Sequence, residues 1–330
     1  MNKSNTIIPW FEAEEEYLKK SSNHHAYMFE GPSGIGKAVF IYKIAKGFLC
    51  KELPHIEYCN KCKSCHLYDE GNHPDFYNVF IEEGKKNISI NQIKDLQESI
   101  YESSFLGSNK VFLINPLEKL NKEAFNSFLK NLEEPPLGSI FLLITNRPQN
   151  IPLTIKSRCL CVQMEKPRQD LTKKWLNKNF DSIQDLDLIL KLSKGRPIIA
   201  SKMINIKIEE LRKEFFKEMA EFIKSGSNLL EISEKWPKDK SSMLIKLEWM
   251  SDLIMDCLRY KFLPDSNKPF RDTSEMCIYL SNRVTSNDFF MLLEKTNSFW
   301  NTFNSDSNLR DEYQLQSLLS YWSEHIGLSR

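Results

Sequence analysis

The sequence predicts a parallel α/β domain built around a phosphate-binding loop, followed by a second half made only of helices. Three observations carry this reading. GPSGIGKA, Gly31 to Ala38, stands between a strand-like and a helix-like segment. Strand-like and amphipathic segments then alternate up to about residue 165, and beyond that point the strand signal stops. A chain of 330 residues is too long for one core, and the pattern divides it into an α/β domain over 1–165, a small helical lid over 166–206 and a helical bundle over 207–330.

In chain order, AYMFEG (26–31) reads as a short buried strand running into the glycine loop. Phe40, Ile41, Ile44, Ala45, Phe48 and Leu49 then recur at helical spacing after Lys37. FYNVFI (76–81), KVFLI (110–114) and SIFLLIT (139–145) read as further strands. Between them lie helices with Ile93, Leu96 and Ile100 on one face, and with Leu120, Ala124, Phe125, Phe128 and Leu132 on another. That rhythm belongs to a parallel sheet covered on both sides. Three short helices follow in PRQDLTKKWLNKNF, DLDLILKLSKG and PIIASKMI, with Gly195 and Pro197 marking a turn. From Lys207 the apolar positions keep helical spacing: Leu211, Phe215, Met219, Phe222; Leu244, Leu247, Met250, Ile254, Leu258; and later Phe289, Leu292, Leu293, Leu315, Leu318, Leu319 and Trp322. A loose polar segment, PDSNKPFRDTSE (264–275), separates two of these helices.

Cys50, Cys59, Cys62 and Cys65 place four thiols within sixteen residues. Four soft ligands on short turns suit a tetrahedral, fully filled and therefore structural Zn²⁺ site, set as a knob in the insert 50–65. A reduced cluster without metal is the alternative. His66 and His73 read as ordinary loop histidines, and Cys159, Cys161, Cys257 and Cys277 as buried apolar residues.

The loop has the spacing of a nucleoside-triphosphate cradle, with Gly31, Gly34, Gly36 and Lys37 around the phosphates, yet Ala38 stands where a hydroxyl would hold Mg²⁺. The strand that should end in an acidic pair ends in Asn115 and Pro116, which offer neither a negative metal ligand nor a base. Glu118, two residues on, reads as an N-terminal helix charge. The metal ligands and the base are lost together while the cradle survives. ATP or ADP binding therefore stays open, and neither Mg²⁺ nor hydrolysis is expected. Thr145 and Asn146, at the end of the third core strand, would either face a γ-phosphate or close a strand-ending turn. Arg158, in SRC, would either project from the domain edge towards a neighbouring subunit's ATP or form a surface ion pair.

The order GPSGIGK, four-cysteine insert, HPDFY, FNSFLKNLEEPP, FLLITNRP and IKSRC resembles bacterial clamp-loader subunits of the AAA+ class, and among them the delta-prime family of DNA polymerase III. The resemblance covers residues 1 to about 204; beyond that it rests on length, helical character and DEYQLQSLLSYW. It implies an AAA+ sheet domain with a zinc module, a lid, and a collar joining a hetero-pentamer with gamma/tau- and delta-type subunits. It also implies a stator that does not itself hydrolyse ATP, supplies Arg158 as an arginine finger in trans, and supports loading of a sliding clamp on primer-template DNA. Motor subunits of the family keep a Ser or Thr after the loop lysine, an Asp-Glu pair, and a lid arginine three residues after the lid glycine. Ala38, Asn115, Pro116 and Ile198 depart from that pattern.

With 45 Lys and Arg against 44 Asp and Glu, 41% hydrophobic and 27% charged residues, the chain reads as globular and almost neutral. Wholesale electrostatic binding of nucleic acid is not indicated. No apolar run approaches a membrane span and no export signal is visible, so the expected address is the cytoplasm. Intrinsic enzymatic activity is not expected; as part of a holoenzyme the chain would belong to a DNA-directed DNA polymerase, a nucleotidyltransferase. An ATP-hydrolysing motor subunit and a zinc-dependent DNA-binding module are the competing readings.

Overall fold

The computed structural model describes residues 8–21, 24–54, 56–82, 84–106, 109–181, 183–263, 273–303 and 310–327. Most of the polar segment 264–275 therefore lies outside the described residues. The chain divides into two compact units, Met1–Asn205 and Ile206–Arg330.

The first unit runs α1 (Glu12–Lys20), β1 (Ala26–Glu30), α2 (Lys37–Leu49), α3 (Lys63–Glu70), β2 (Phe76–Phe80), α4 (Ile90–Tyr101), β3 (Lys110–Asn115), α5 (Lys122–Glu133), β4 (Ser139–Thr145), α6 (Leu153–Lys156) and β5 (Leu160–Gln163). It closes with α7 (Gln169–Asn179), α8 (Leu186–Leu192) and α9 (Pro197–Asn205). All strand pairs are parallel, in the order β2-β3-β4-β1-β5. The strands read from the sequence are therefore present, and β5, which begins two residues after Arg158, forms an edge of the sheet.

Because side chains alternate across a strand, each central strand feeds two cores. Tyr27, Phe29, Val111, Leu113, Leu142 and Ile144 pack with Phe40, Ile41 and Ile44 of α2 on one face. Met28, Phe112, Ile114, Phe141 and Leu143 pack on the other with Ile93 and Leu96 of α4 and Phe125 and Phe128 of α5. This two-sided burial explains why the strands read as continuous apolar runs. Helix α4 begins at a capping box in which Ser89 and Gln92 exchange side-chain and backbone bonds.

The second unit is entirely helical among its described residues: α10 (Ile208–Ser225), α11 (Leu229–Lys235), α12 (Lys240–Phe262), α13 (Ser274–Arg283), α14 (Ser286–Phe303) and α15 (Asp311–His325). Phe215, Met219, Phe222, Leu247, Met250, Leu292, Leu315 and Trp322 are buried as the spacing requires, while Met243 takes the core place expected of Leu244. The Trp322 indole N–H donates to Thr296 Oγ1 at 3.1 Å. Cys257 and Cys277 are buried, but Cys161 is exposed and Cys159 half-buried. The expectation of buried thiols fails for these last two because they lie on and beside β5, which pairs with β1 on one side only.

Candidate functional site

Strand register brings the phosphate loop and the end of β4 together. Glu30 pairs with Thr145, so the loop that starts at Gly31 emerges beside Asn146. Gly31, Gly34 and Gly36 all have positive φ, and Gly36 directly precedes α2. Gly34 shows why no side chain fits: a Cβ there would lie 2.5 Å from the Ile199 side chain. The Ile198 N–H also donates to the Gly34 carbonyl at 3.0 Å, so the N-terminus of α9 is docked on the loop.

Lys37 is 4% exposed. Its ammonium donates to the Gly31 carbonyl at 2.6 Å, the Pro32 carbonyl at 2.7 Å and Asn146 Oδ1 at 2.9 Å. Burial brings its pKa down to about 8, opposed by the nearby Glu118 carboxylate. Asn146 in turn donates its backbone N–H and its side-chain amide to Glu118, each at 3.2 Å to Oε1. Glu118 sits in a single 3₁₀ turn, Leu117–Lys119, with its carboxylate directed at the end of β4, a contact that a reading as a simple helix-end charge does not foresee. Thr145 is fully buried, and its hydroxyl accepts the Arg147 N–H at 3.1 Å. The residue that reaches Lys37 from β4 is therefore Asn146. Ala38 packs against the α2-side core, and β3 ends in Asn115, opposite Phe80.

Arg158 lies in the turn between α6 and β5. Its Nη2 is 2.6 Å from Glu133 Oε1, and its Nη1 donates to the Thr154 carbonyl at 2.8 Å and to Ser157 Oγ at 3.3 Å. The side chain is 34% exposed and its partner 47%. An ion pair at that exposure contributes about 0–1 kcal/mol.

The four insert cysteines converge, with all Sγ atoms within 4.8 Å of one another and Cys59 Sγ 4.0 Å from Cys65 Sγ. A close backbone approach allows it. Gly47 of α2 lies so near Ile56 that a Cβ would fall 2.0 Å from the Ile56 carbonyl oxygen, which turns the chain back over the helix that Cys50 ends. Cys59 Sγ accepts the N–H groups of Lys61 and Cys62 at 3.4 and 3.3 Å, and Cys62 Sγ accepts that of Cys65 at 3.4 Å. Donors aimed at sulfur suit thiolates. A Zn²⁺ with bonds of about 2.3 Å would draw the sulfurs to roughly 3.8 Å apart, a small contraction of the cluster as it stands. The donor set therefore fits a metal ion. His66 is exposed on α3. His73 is buried: its Nδ1 accepts the Asp75 N–H at 3.1 Å, and its Nε2 lies 2.8 Å from Ser64 Oγ, so it ties α3 to the strand that follows. Burial holds its pKa below the ordinary value.

Of the two polar residues that end β4 in the sequence, Asn146 is the one that meets the loop lysine; the roles of Glu118 and Glu133 at these contacts had no reading in the sequence. Glu133 belongs to the LEEPP stretch, where two carboxylates end a helix, and that was its only local signal.

Among the described residues no helix is long and apolar enough to cross a membrane. Residues 10–168 match the family described as DNA polymerase III, delta subunit, and residues 209–324 match its C-terminal family. The DNA polymerase III subunit delta' of Pseudomonas aeruginosa is 29% identical over 331 residues, covering 97% of this chain and 98% of that one. The subunit delta' of Buchnera aphidicola subsp. Acyrthosiphon pisum is 30% identical over 276 residues, 83% of each chain. The tau/gamma subunit of Haemophilus influenzae is 35% identical over 143 residues, but these make up 43% of this chain and 20% of that one.

Proposed function

The chain belongs to the family of DNA polymerase III delta' subunits, and from that premise we propose that it is the non-hydrolysing stator of a clamp loader. In this reading it completes a hetero-pentamer with gamma/tau- and delta-type subunits, presents Arg158 to ATP bound by an adjacent motor subunit, and supports loading of the sliding clamp on primed DNA. Its three parts are the AAA+ domain over 1–165, the lid over 166–206 and the collar over 207–330.

One observation carries the non-hydrolysing half of the proposal. Around Lys37 the chain offers Ala38, Asn115 and Pro116 where a hydroxyl, a metal-binding carboxylate and a base would be needed. Lys37 itself is engaged with two loop carbonyls and Asn146. ATP or ADP binding through Gly31, Gly34, Gly36 and Lys37 requires the ammonium to exchange those carbonyls for phosphate oxygens. Without the hydroxyl and the carboxylate, Mg²⁺ has no protein ligands in the usual positions. The competing motor reading draws on Glu118, whose carboxylate stands one residue, Asn146, away from Lys37. Purified chain turning over Mg-ATP would establish that reading.

The cysteine cluster is the proposed Zn²⁺ site, held by Cys50, Cys59, Cys62 and Cys65. A bound zinc would supply cross-linking and no reactive position, because four thiolates fill a tetrahedron. Within the chain, Gly47 admits the returning loop and the sulfur-directed N–H groups orient the thiols. The proposal is tested by reconstituting the complex with its partner subunits and measuring DNA-stimulated ATP hydrolysis with and without the Arg158→Ala change. A lower rate with intact assembly is expected; an unchanged rate would reject the arginine's role.

A further inference from the structure

The guanidinium of Arg158 is held before any neighbour reaches it, and we infer that Glu133 is the positioning residue that aims it. The inference rests on the proposed action of Arg158 on a neighbouring subunit's ATP. An arginine side chain on an exposed turn samples many rotamers, and a finger that must first be ordered loses part of its effect to that cost. Here the ordering is built into the fold. Glu133 is the last residue of α5, and its carboxylate takes Nη2 at 2.6 Å while the Thr154 carbonyl of α6 takes Nη1 at 2.8 Å. With the 3.3 Å bond from Nη1 to Ser157 Oγ, both terminal nitrogens are engaged while the side chain keeps about a third of its surface open to solvent.

The turn is anchored a second time. Lys156, two residues before the arginine, lies 3.4 Å from Glu30 Oε1, a carboxylate only 4% exposed at the end of β1 whose other oxygen accepts the Gln163 side-chain amide. The turn is thus tied through Lys156 to strand β1, and the head of Arg158 to the end of a helix. Glu133 is half-exposed, so water screens its charge and it subtracts little from the positive charge presented to a phosphate. Its larger contribution is geometric. A carboxylate and a carbonyl, both acceptors, fix the guanidinium plane from two directions.

The test uses the reconstituted complex on primed DNA with four versions of this chain: Glu133→Gln, Glu133→Asp, Arg158→Ala and the Glu133→Gln/Arg158→Ala double variant. Glu133→Gln is expected to lower the kcat of ATP hydrolysis about two- to fivefold with KM for ATP unchanged, the range of one half-exposed ion pair that orders a reacting group. Glu133→Asp is expected to recover part of the loss, and Glu133→Gln to add nothing once Arg158 is gone. A Glu133→Gln rate at or above wild type would overturn the positioning role, as would an undiminished effect in the Arg158→Ala background, since either outcome leaves Glu133 acting apart from the arginine. If Arg158→Ala alone leaves the rate unchanged, the finger assignment itself falls and this inference with it. A large Arg158→Ala effect beside a silent Glu133→Gln removes only the inference.

Discussion

Two cationic side chains of the first unit make a useful contrast. Lys37 is buried and surrounded by acceptors that belong to its own loop and to β4, with α9 docked over the same loop. Arg158 stands in a turn at the domain surface, held by a carboxylate and a carbonyl, with about a third of its side chain exposed. A cation satisfied internally and desolvated is costly to redirect, whereas one held at such a turn by an ion pair and two hydrogen bonds is already placed at the surface and need not be redirected. The difference fits the proposal that the chain keeps the outline of an ATP site while Arg158 acts on a neighbouring subunit's nucleotide.

Substitutions at these sites separate the roles of the two cations. The largest effect is expected from Arg158→Ala, which should leave the complex assembled but reduce DNA-stimulated hydrolysis by the motor subunits by up to about 10³-fold, as read by steady-state phosphate release. Next come Cys59→Ser and Cys62→Ser. Each should remove zinc, read by metal analysis of the purified chain, and expose the 50–65 insert to proteolysis while the sheet core remains folded. Wild-type chain without zinc would reject the site.

A smaller effect concerns pH at the loop. Burial lowers Lys37 from an unfolded value near 10.5 to about 8, so between those values the unfolded chain binds the extra proton. Lys37 therefore contributes stability that rises with pH through this window and is absent below about 8. A phosphate prefers the ammonium form, so ADP affinity at the loop should fall as pH rises through about 8. Calorimetric titrations giving equal affinity at pH 7 and pH 9.5 would separate Lys37 from phosphate binding. The smallest change is expected for Thr145→Val. It removes one hydroxyl acceptor from the Arg147 N–H, and should cost about 1 kcal/mol of stability in denaturant unfolding with no change in ADP affinity; a loss of ADP binding would place the hydroxyl at the nucleotide after all.

The contrast was only half legible in the sequence. The loop, its flanking strand and helix, the three departures at Ala38, Asn115 and Pro116, and the cysteine spacing are local patterns, and local patterns survive in one dimension. So do the apolar runs of β1, β3 and β4, because burial on both faces leaves little room for other residues. The contacts that give the two cations their different characters join residues far apart. Asn146 reaches Lys37 because β4 pairs with β1, and Glu133 reaches Arg158 across α6 and the strand between; no periodicity encodes either pairing. Thr145 shows the same limit in reverse. It stands one residue from the position that meets the loop, and strand alternation turns its hydroxyl into a local cap instead. The exposure of Cys161 likewise depends on β5 being an edge, which follows from strand order and not from the residue's own neighbours.

As the proposed stator, this chain acts on a neighbour's ATP and not on its own. Comparing Lys37→Ala with Arg158→Ala, each in the reconstituted clamp loader on primed DNA in one ATPase assay, decides the matter. A near-wild-type rate is expected for Lys37→Ala and a collapsed rate for Arg158→Ala. A collapsed rate for Lys37→Ala with an intact rate for Arg158→Ala would contradict the stator reading.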